Sequence, residues 1–424
     1  MPDTAQNGTS GKVTKRDSIK KVKFGTSDMM VSELCIGTMT WGSFVGCEED
    51  VFAQLDAAIA HGANFIDNAE MYPVAFNYGK TSEAWLGKWL NSRVSTGKLK
   101  RPDIYLATKC NPLMIGGTAE GETPKPHGYE TDILERSCRA SIERMQCDYI
   151  DLYQLHWPSR DVPVFGCLSF YPDGHNRAAA FTDKIAAGEG GMSVFERQVL
   201  SVKRLLDLGL IKYWGLSNEN AYGITMFCLA CDKLGVPRPI SCQNDFSLLN
   251  RSYELDTWEA AYRFGLVGLP YGVLAGGVLS GKYFDGSKWA READADRPIQ
   301  ECRHRRNPEF QPRYGMPVAM QATAEYVKLA EHYGISPMQL AVAWALHRPC
   351  NTAIISGTCT VKQMEEYVSA FKLDLPTELL DEVDKIHEQF RSPSMWLHNK
   401  EVCQKAEWLG PDKRSASEPI AVKD

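Results

Sequence analysis

Four side chains in the sequence have the chemistry to orient a carbonyl group and protonate it. Asp67, Lys109 and His156 each end an apolar run, in NFID, IYLATK and YIDLYQLH, and Tyr72 follows Asp67 by five residues. A tyrosine hydroxyl has an ordinary pKa of about 10, and a nearby ammonium lowers it by favouring the phenolate. We therefore expect Lys109 to lower the pKa of Tyr72, so that Tyr72 can give a proton to an alkoxide.

The other two residues fit the same reaction. Asp67 would hold the Lys109 ammonium in place, and a neutral His156 could donate a hydrogen bond to a carbonyl oxygen. Taken singly, each residue has an ordinary structural explanation: an aspartate that caps a turn, a half-buried tyrosine or a histidine within the core. Because three successive strands deliver them at equivalent depth, we favour one shared pocket.

The surrounding sequence alternates short apolar runs with longer amphipathic ones. It begins with ELCIGTM and EEDVFAQLDAAIAHG and continues through eight strands, each followed by a helix. This alternation predicts an α/β fold, a closed (β/α)₈ TIM barrel, with an open doubly wound sheet as the alternative. The G-x-G-x-x-G fingerprint of a dinucleotide-binding open sheet is missing, since IGTMTWGSF has the wrong spacing. In a barrel, the functional site lies at the carboxyl ends of the strands.

The chain divides into one barrel and two flanks. We predict a disordered tail over residues 1–19, a barrel over 20–395, and a C-terminal extension and tail over 396–424. The first segment could also be a short transit peptide, although its acidic residues count against that. A long insertion, residues 158–191, follows the fourth strand; its Phe165, Phe170 and Tyr171 either line a substrate pocket or pack against one another.

Composition limits the possible partners. The net charge is -6, without a sustained basic block, which argues against nucleic acid or an anionic membrane as the main partner. No apolar run approaches the ~20 residues that a membrane helix needs. The 13 scattered cysteines indicate a reducing compartment, and we expect a cytoplasmic protein. Cys228 and Cys231 form a C-x-x-C without a second pair, so we predict no metal site.

The motifs FIDNAEMY, LATK and LYQLHWP resemble the Asp, Tyr, Lys and His tetrad of the aldo-keto reductase superfamily, and the resemblance covers residues 21 to 390. Within it, AEMYPV, DYIDLYQLHWP, SLLNRS and SGKY are similar to the bacterial Tas-like reductases, relatives of the potassium-channel β subunits. The resemblance implies a (β/α)₈ barrel that binds NADPH across its strand ends and reduces an aldehyde or ketone. It assigns catalysis to Asp67, Tyr72, Lys109 and His156.

The resemblance also implies where the cofactor and the substrate bind. The nicotinamide end would contact Thr38, Met39, Asp67, Ser217, Asn218 and Gln243, with Tyr271 stacked on the ring. The pyrophosphate would lie over Gly272, Val273, Leu274, Ala275 and Gly276 and pair with Lys282 and Arg313. The adenosine end would lie near Gly357, Thr358, Thr360, Gln363 and Glu366. The predicted substrate pocket includes Tyr72 and His156, together with Trp41 and Trp157, which, like the aromatic residues of the insertion, either line the pocket or pack against one another.

The sequence departs from the family at one cofactor position. Tyr367 stands where relatives usually carry an asparagine, which removes an adenine hydrogen bond and leaves stacking as the alternative. Two other functions also stay open: a nucleotide-binding regulatory or interaction protein, as in the channel β subunits, and a dehydrogenase that uses NAD. Neither the natural substrate nor the oligomeric state follows from the sequence.

Overall fold

The structure is a computed structural model, and it describes residues 11–74, 81–112, 128–160, 162–163, 191–283, 302–306 and 311–395. Eight strands form one sheet. In chain order they are β1 (Leu34–Gly37), β2 (Phe65–Asp67), β3 (Tyr105–Cys110), β4 (Ile150–Leu155), β5 (Ile211–Ser217), β6 (Ser241–Gln243), β7 (Val267–Gly268) and β8 (Ile354–Ile355). Residues 1–10 and 396–424 and the insertion aromatics Phe165, Phe170 and Tyr171 lie outside the described residues.

The sheet is parallel and curls into a barrel. Its spatial order runs from β7 through β6, β5, β4, β3, β2 and β1 to β8, so chain neighbours pair except at the end, where β8 joins β1. The two outer strands meet through a parallel bridge between Gly268 and Asn351, where the Thr352 N–H donates to the Gly268 carbonyl at 3.0 Å. The predicted (β/α)₈ barrel is therefore confirmed.

Helices surround the strands in the predicted alternation. They are α1 (Glu48–Ala60), α2 (Thr81–Ser95), α3 (Thr131–Arg144), α4 (Val194–Asp207), α5 (Ala221–Leu234), α6 (Thr257–Phe264), α7 (Arg303–Arg306), α8 (Pro317–His332), α9 (Pro337–His347), α10 (Val361–Ala370) and α11 (Thr377–Gln389). Short 3₁₀ helices span Arg101–Asp103, Ser252–Glu254, Ala275–Ser280 and Pro312–Gly315. Capping boxes at Ser193 and Ser336 begin α4 and α9 because each serine accepts the N–H three residues on.

The amino end of the barrel is covered by a hairpin. Its strands Lys21–Lys23 and Met30–Ser32 pair antiparallel, and Phe24 packs edge-on to Phe65 with ring centroids 5.2 Å apart. A second small pairing joins Thr14–Lys15 to Leu373–Asp374, so the segment predicted as an N-terminal tail includes a short strand. None of the described helices is both long and apolar enough to cross a membrane. The opposite, carboxyl end of the barrel carries Asp67, Lys109 and His156.

Candidate active site

The carboxyl ends of β2 and β3 bring three of the predicted residues around one ammonium group. Asp67 lies opposite Ala107 in the β2–β3 register, and residues two apart on a strand share a face, so Lys109 projects beside Asp67. The Lys109 Nζ donates to Asp67 Oδ2 at 2.6 Å and to the Asn68 carbonyl at 2.7 Å, and lies 3.4 Å from the Tyr72 hydroxyl oxygen. Lys109 is fully buried and Asp67 nearly so.

Burial and neighbouring charges together set the pKa values of Tyr72 and Lys109. Burial raises the pKa of Tyr72, and Lys109 lowers it by less, so the pKa of the hydroxyl lies above its ordinary value. The expectation of a lowered Tyr72 pKa is therefore wrong for this structure, because lost hydration outweighs the ammonium. Burial lowers the pKa of Lys109, but Asp67 and Tyr72 more than offset it and leave that pKa raised. At neutral pH Tyr72 is protonated and Lys109 is charged.

The second oxygen of Asp67 is held by two amides. Asp67 Oδ1 accepts from Gln154 Nε2 at 2.9 Å and from Gln243 Nε2 at 3.0 Å, and Gln243 also donates to Gln154 Oε1 at 3.1 Å. Gln243, predicted to hold the nicotinamide, is thus tied to the tetrad. Gln154 was not predicted from the sequence as a site residue. It lies on β4 two residues before His156, and this spacing indicates that both side chains face the same side.

His156 completes the group at the end of β4. Its ring lies edge-on to Tyr72 with centroids 5.7 Å apart, and the Trp157 ring stacks on it at 3.9 Å with an interplanar angle of 17°. Burial, followed by Lys109, holds the pKa of His156 well below its ordinary value, so the imidazole is neutral. A neutral imidazole can donate one N–H to a carbonyl oxygen.

A small apolar cluster borders Tyr72. It comprises Ala69, Met71 and Tyr72, with Met39, Val74 and Trp157 partly buried against it. Trp41 is 1% exposed and packs within the main core of the barrel, which is the packing alternative for this residue. The rings of Tyr72, His156 and Trp157 lie next to one another.

Residues expected at the nicotinamide end lie around β5. Asn218 has a φ of 56°, the left-handed region that asparagine tolerates. Its Nδ2 donates to the His156 carbonyl at 2.9 Å, and its Oδ1 accepts from the Tyr271 hydroxyl at 2.6 Å. Ser217 donates to the Gln243 carbonyl at 3.0 Å. Across the barrel, Thr38 is fully buried, and its hydroxyl has no hydrogen-bond partner among the described residues.

The segment from Gly272 to Gly276, expected under the pyrophosphate, has an unusual backbone. Gly272, Ala275 and Gly276 have φ values of 73°, 48° and 66°, which favour residues with little or no side chain. Two N–H groups already donate within the turn, from Ala275 to the Gly272 carbonyl at 2.6 Å and from Gly277 to the Leu274 carbonyl at 2.8 Å. Val273 is buried and Leu274 half-buried, so these two contribute backbone and packing.

The two predicted phosphate cations differ in their surroundings. Arg313 is 2% exposed and already donates to Asp245 Oδ2 at 3.0 Å and to the Tyr314 hydroxyl at 2.7 Å. Burial opposes its charge, but Tyr314 and Asp245 reverse that effect and raise the pKa of Arg313. Lys282 lies beside Gly277, with its Nζ 5.5 Å from the centre of the Tyr283 ring. Lys282 is half-buried, so its ammonium is more accessible to solvent than the Arg313 guanidinium.

The loop after β8 leads into α10 through a threonine N-cap. Thr360 caps α10 by accepting the Gln363 N–H at 3.2 Å, and Gln363 Oε1 accepts the Cys359 N–H at 2.8 Å. Thr358 donates to Gln54 at 3.2 Å. Gly357 and Glu366 are exposed.

Tyr367 does not take the position that stacking on an adenine would need. It is 3% exposed, and its hydroxyl donates to the Ile355 carbonyl at 3.2 Å. Its ring packs against Phe371 with centroids 5.7 Å apart. Tyr367 thus closes the core beneath the loop and does not offer its ring to an adenine base.

Sequence analysis also missed the basic helix α7. The guanidinium groups of Arg303 and Arg306 each lie 5.4 Å from the centre of the Phe44 ring, and Arg306 donates to the Ser43 carbonyl at 2.9 Å. An Arg303 nitrogen lies 3.6 Å from where a side chain at Gly357 would begin. The signal was the run RHRR, which sits in an irregular stretch with no strand end to mark it.

The groups at the strand ends have the chemistry to hold a dinucleotide. A buried threonine hydroxyl, a left-handed backbone turn and several cations follow one another around the rim. Among the residues that the structure describes, no group of three or more histidine, cysteine or acidic side chains could hold a metal.

Comparison with known proteins agrees with this geometry. The model of the Aldo/keto reductase family matches residues 33–388. The chain belongs to the aldo/keto reductase family. It is 32% identical to Protein tas of Escherichia coli over 87% of this chain and 97% of that protein. It is 28% identical to the uncharacterized oxidoreductase YrpG of Bacillus subtilis, over 84% and 92%. A probable voltage-gated potassium channel subunit beta of Arabidopsis thaliana is 25% identical, over 85% and 94%.

Membership of the aldo/keto reductase family makes the chain an oxidoreductase of the class that acts on carbonyl groups of small molecules. The family as a whole works with nicotinamide cofactors, which agrees with the fit of the strand ends to a dinucleotide. The predicted family is thus confirmed, including the similarity to Tas.

Proposed function

We propose that this aldo/keto reductase uses NADPH to reduce an aldehyde or ketone to an alcohol, with Tyr72 as the proton donor. The observation that carries the proposal is the Lys109 ammonium, which is held by Asp67 at 2.6 Å and lies 3.4 Å from the Tyr72 hydroxyl. This arrangement provides a protonated donor and a fixed positive charge that stabilises the phenolate left behind.

The reaction divides into hydride and proton transfer. When bound, NADPH supplies the hydride to the carbonyl carbon, and the π electrons of the C=O bond move to its oxygen. Tyr72 gives its proton to that oxygen, and Lys109 stabilises the resulting phenolate. His156, neutral and stacked against Trp157, donates its N–H to the same oxygen and orients it. Solvent returns the proton to Tyr72.

Cations at the rim support the choice of NADPH over NADH. Lys282 lies beside Gly277 and Arg303 lies beside Gly357, and a 2′-phosphate adds two negative charges that NADH lacks. We place the enzyme in the cytoplasm because all the cysteines described, from Cys35 to Cys359, are free thiols.

Steady-state oxidation of NADPH with a panel of aldehydes and ketones tests the proposal. Tyr72→Phe removes the proton donor, and we expect kcat to fall about 10²- to 10⁴-fold. Fluorescence titration should give an unchanged affinity for NADPH, because the ring stays in place. Full carbonyl reduction by Tyr72→Phe would show that another group donates the proton.

A second candidate is a nucleotide-binding regulatory protein, favoured by the 25% identity to a probable potassium channel subunit beta. Such a protein binds the cofactor but turns over slowly. Tight NADPH binding with no steady-state reduction of any carbonyl in the panel would favour it. Equal affinity for NADH and NADPH would instead favour a dehydrogenase that uses NAD.

A further inference from the structure

An arginine just beyond the tetrad is fixed in a fork to a buried glutamate. Arg160 Nη1 donates to Glu219 Oε2 at 2.9 Å, and its Nη2 donates to Glu219 Oε1 at 2.5 Å and to Asn220 Oδ1 at 3.1 Å. The side chain of Glu219 is 2% exposed and that of Arg160 is 20% exposed. A two-pronged contact of this kind fixes orientation as well as distance.

Two aromatic rings and a close glycine backbone restrict the conformation of the Arg160–Glu219 pair. The Arg160 guanidinium lies 5.3 Å from the centre of the Phe195 ring and 5.4 Å from that of Tyr222. At Gly223, a side chain would begin 2.1 Å from the Glu219 carboxylate and 2.5 Å from Arg160, so only glycine leaves room for the pair. The Glu219 carbonyl also accepts from Asn244 at 2.9 Å.

Both ends of the fork are joined to the reaction centre. Arg160 lies four residues after His156, in the segment whose Trp157 stacks on the His156 ring. Glu219 directly follows Asn218, which donates to the His156 carbonyl at 2.9 Å and accepts from Tyr271. The fork therefore closes a loop that runs from His156 along the chain to Arg160, across the ion pair to Glu219, and through the neighbouring Asn218 back to the His156 carbonyl.

We infer that Arg160 and Glu219 are a positioning pair. The pair fixes His156, which orients the carbonyl, and Trp157, which stacks on His156, relative to Asn218 at the nicotinamide end. Neither side chain acts on the reacting atoms. The pair fixes the position of the His156 N–H, the proposed donor to the carbonyl oxygen, relative to the nicotinamide end of the site. This inference rests on the proposed carbonyl reduction, whose geometry it refines.

A matched pair at the other end of the barrel provides the control. Arg101 donates to Asp151 at 2.8 Å, with side chains 14% and 2% exposed, but these residues lie at the amino ends of the strands. Arg160→Gln and Arg101→Gln therefore remove comparable buried contacts. Only Arg160→Gln should lower kcat/KM for the carbonyl substrate, by about 10- to 100-fold, as expected for small displacements of reacting groups.

The isotope effect separates positioning from loss of folded enzyme. With NADPH deuterated at the transferred position, Arg160→Gln should show a larger isotope effect on kcat than the wild type, because hydride transfer becomes slower than the other steps. Fewer folded molecules would lower kcat without changing this ratio. Arg160→Lys keeps the charge and one contact, so it should recover part of kcat/KM.

Three results would overturn the inference: Arg160→Gln keeping kcat/KM within threefold of wild type, Arg101→Gln losing as much as Arg160→Gln, or an isotope effect that stays unchanged. Glu219→Gln, which keeps an acceptor oxygen, gives the same test if Arg160→Gln does not fold. Absence of carbonyl reduction by the wild-type enzyme would refute the proposed function itself, so the two failures are distinguishable.

Discussion

Two buried ion pairs at opposite ends of the barrel invite comparison. At the amino end, Arg101 donates to Asp151 and to the carbonyls of Ile104 and Tyr149, and Asp151 accepts the Leu106 N–H. Nearly all these partners are backbone groups, so the pair joins strands. At the carboxyl end, the partners of Lys109 and Asp67 include the hydroxyl of Tyr72 and two side-chain amides.

The difference concerns protons. A backbone carbonyl has none to exchange, so the Arg101 pair can only add stability. The Lys109 pair touches a hydroxyl whose proton can leave, so the same kind of charge controls chemistry. Burial alone therefore does not separate a structural pair from a reactive one, and the nature of the third partner does.

Lys109→Met tests the carboxyl-end pair and should have the largest effect. Without the ammonium, the Tyr72 phenolate loses its stabilising charge, and we expect kcat to fall ~10³-fold or more. Steady-state assays measure this loss. Asp67→Asn combined with Lys109→Met should recover thermal stability, because no buried charge is left uncompensated, without recovering kcat. Recovery of activity in the double variant would contradict a direct role for the ammonium.

Arg101→Gln tests the amino-end pair and should give the opposite outcome. Breaking a buried pair leaves Asp151 without its main partner, and we expect the free energy of unfolding to fall by about 3 kcal/mol. Urea unfolding measures this loss, and kcat at a temperature well below unfolding should stay within about threefold of wild type. A large loss of kcat in a folded variant would mean that the amino end influences the reaction.

Glu70→Gln sharpens the comparison with a buried carboxyl group whose hydrogen bonds come from a backbone N–H and a hydroxyl. Burial raises the pKa of Glu70 to about 7, although the Asn111 N–H and the Ser137 hydroxyl donate to it; Glu83 raises the pKa and Arg144 lowers it to smaller extents. Because the folded pKa exceeds the ordinary value of 4.5, the folded state keeps the proton between these pH values while the unfolded chain releases it.

Stability of the wild type should therefore fall as the pH rises through this window, by about 3 kcal/mol from this group. Glu70→Gln has no titrating group at this position and should lack that fall. The free energy of unfolding of the variant minus that of the wild type should therefore increase from pH 4.5 to pH 8. Urea unfolding at a series of pH values measures the difference. Parallel curves for the two proteins would show that Glu70 is not protonated in the fold.

Local pattern predicted much of this molecule. Continuous apolar runs and the helix spacing between them identified all eight strands, and the polar residue at each strand end located Asp67, Lys109 and His156. The strand predictions are confirmed, because apolar periodicity in the chain determines which segments become barrel strands, and in a barrel the equivalent strand ends meet at one rim.

Other features depended on contacts that periodicity does not encode. Gln154 lies within a strand that reads as core, and only the structure shows its amide bound to Asp67. The sign of the Tyr72 pKa shift depended on how completely the hydroxyl is buried. Trp41 lies in the loop after β1 and packs into the core, and the four residues of α7 are too few to show a helical period in the sequence.

Strand length differs around the barrel. Strands β3 and β4 have six residues each and β5 has seven, whereas β7 and β8, which meet at the closing bridge, have two each. Few ladder hydrogen bonds hold that seam, so its amides should exchange with solvent sooner than those of the middle strands. The proposed phosphate-binding segments leave the barrel from this seam. The longest strands thus lie beside Lys109 and His156 and the shortest beside the proposed nucleotide segments, so we expect amide exchange to be slower near the reacting groups than near the nucleotide.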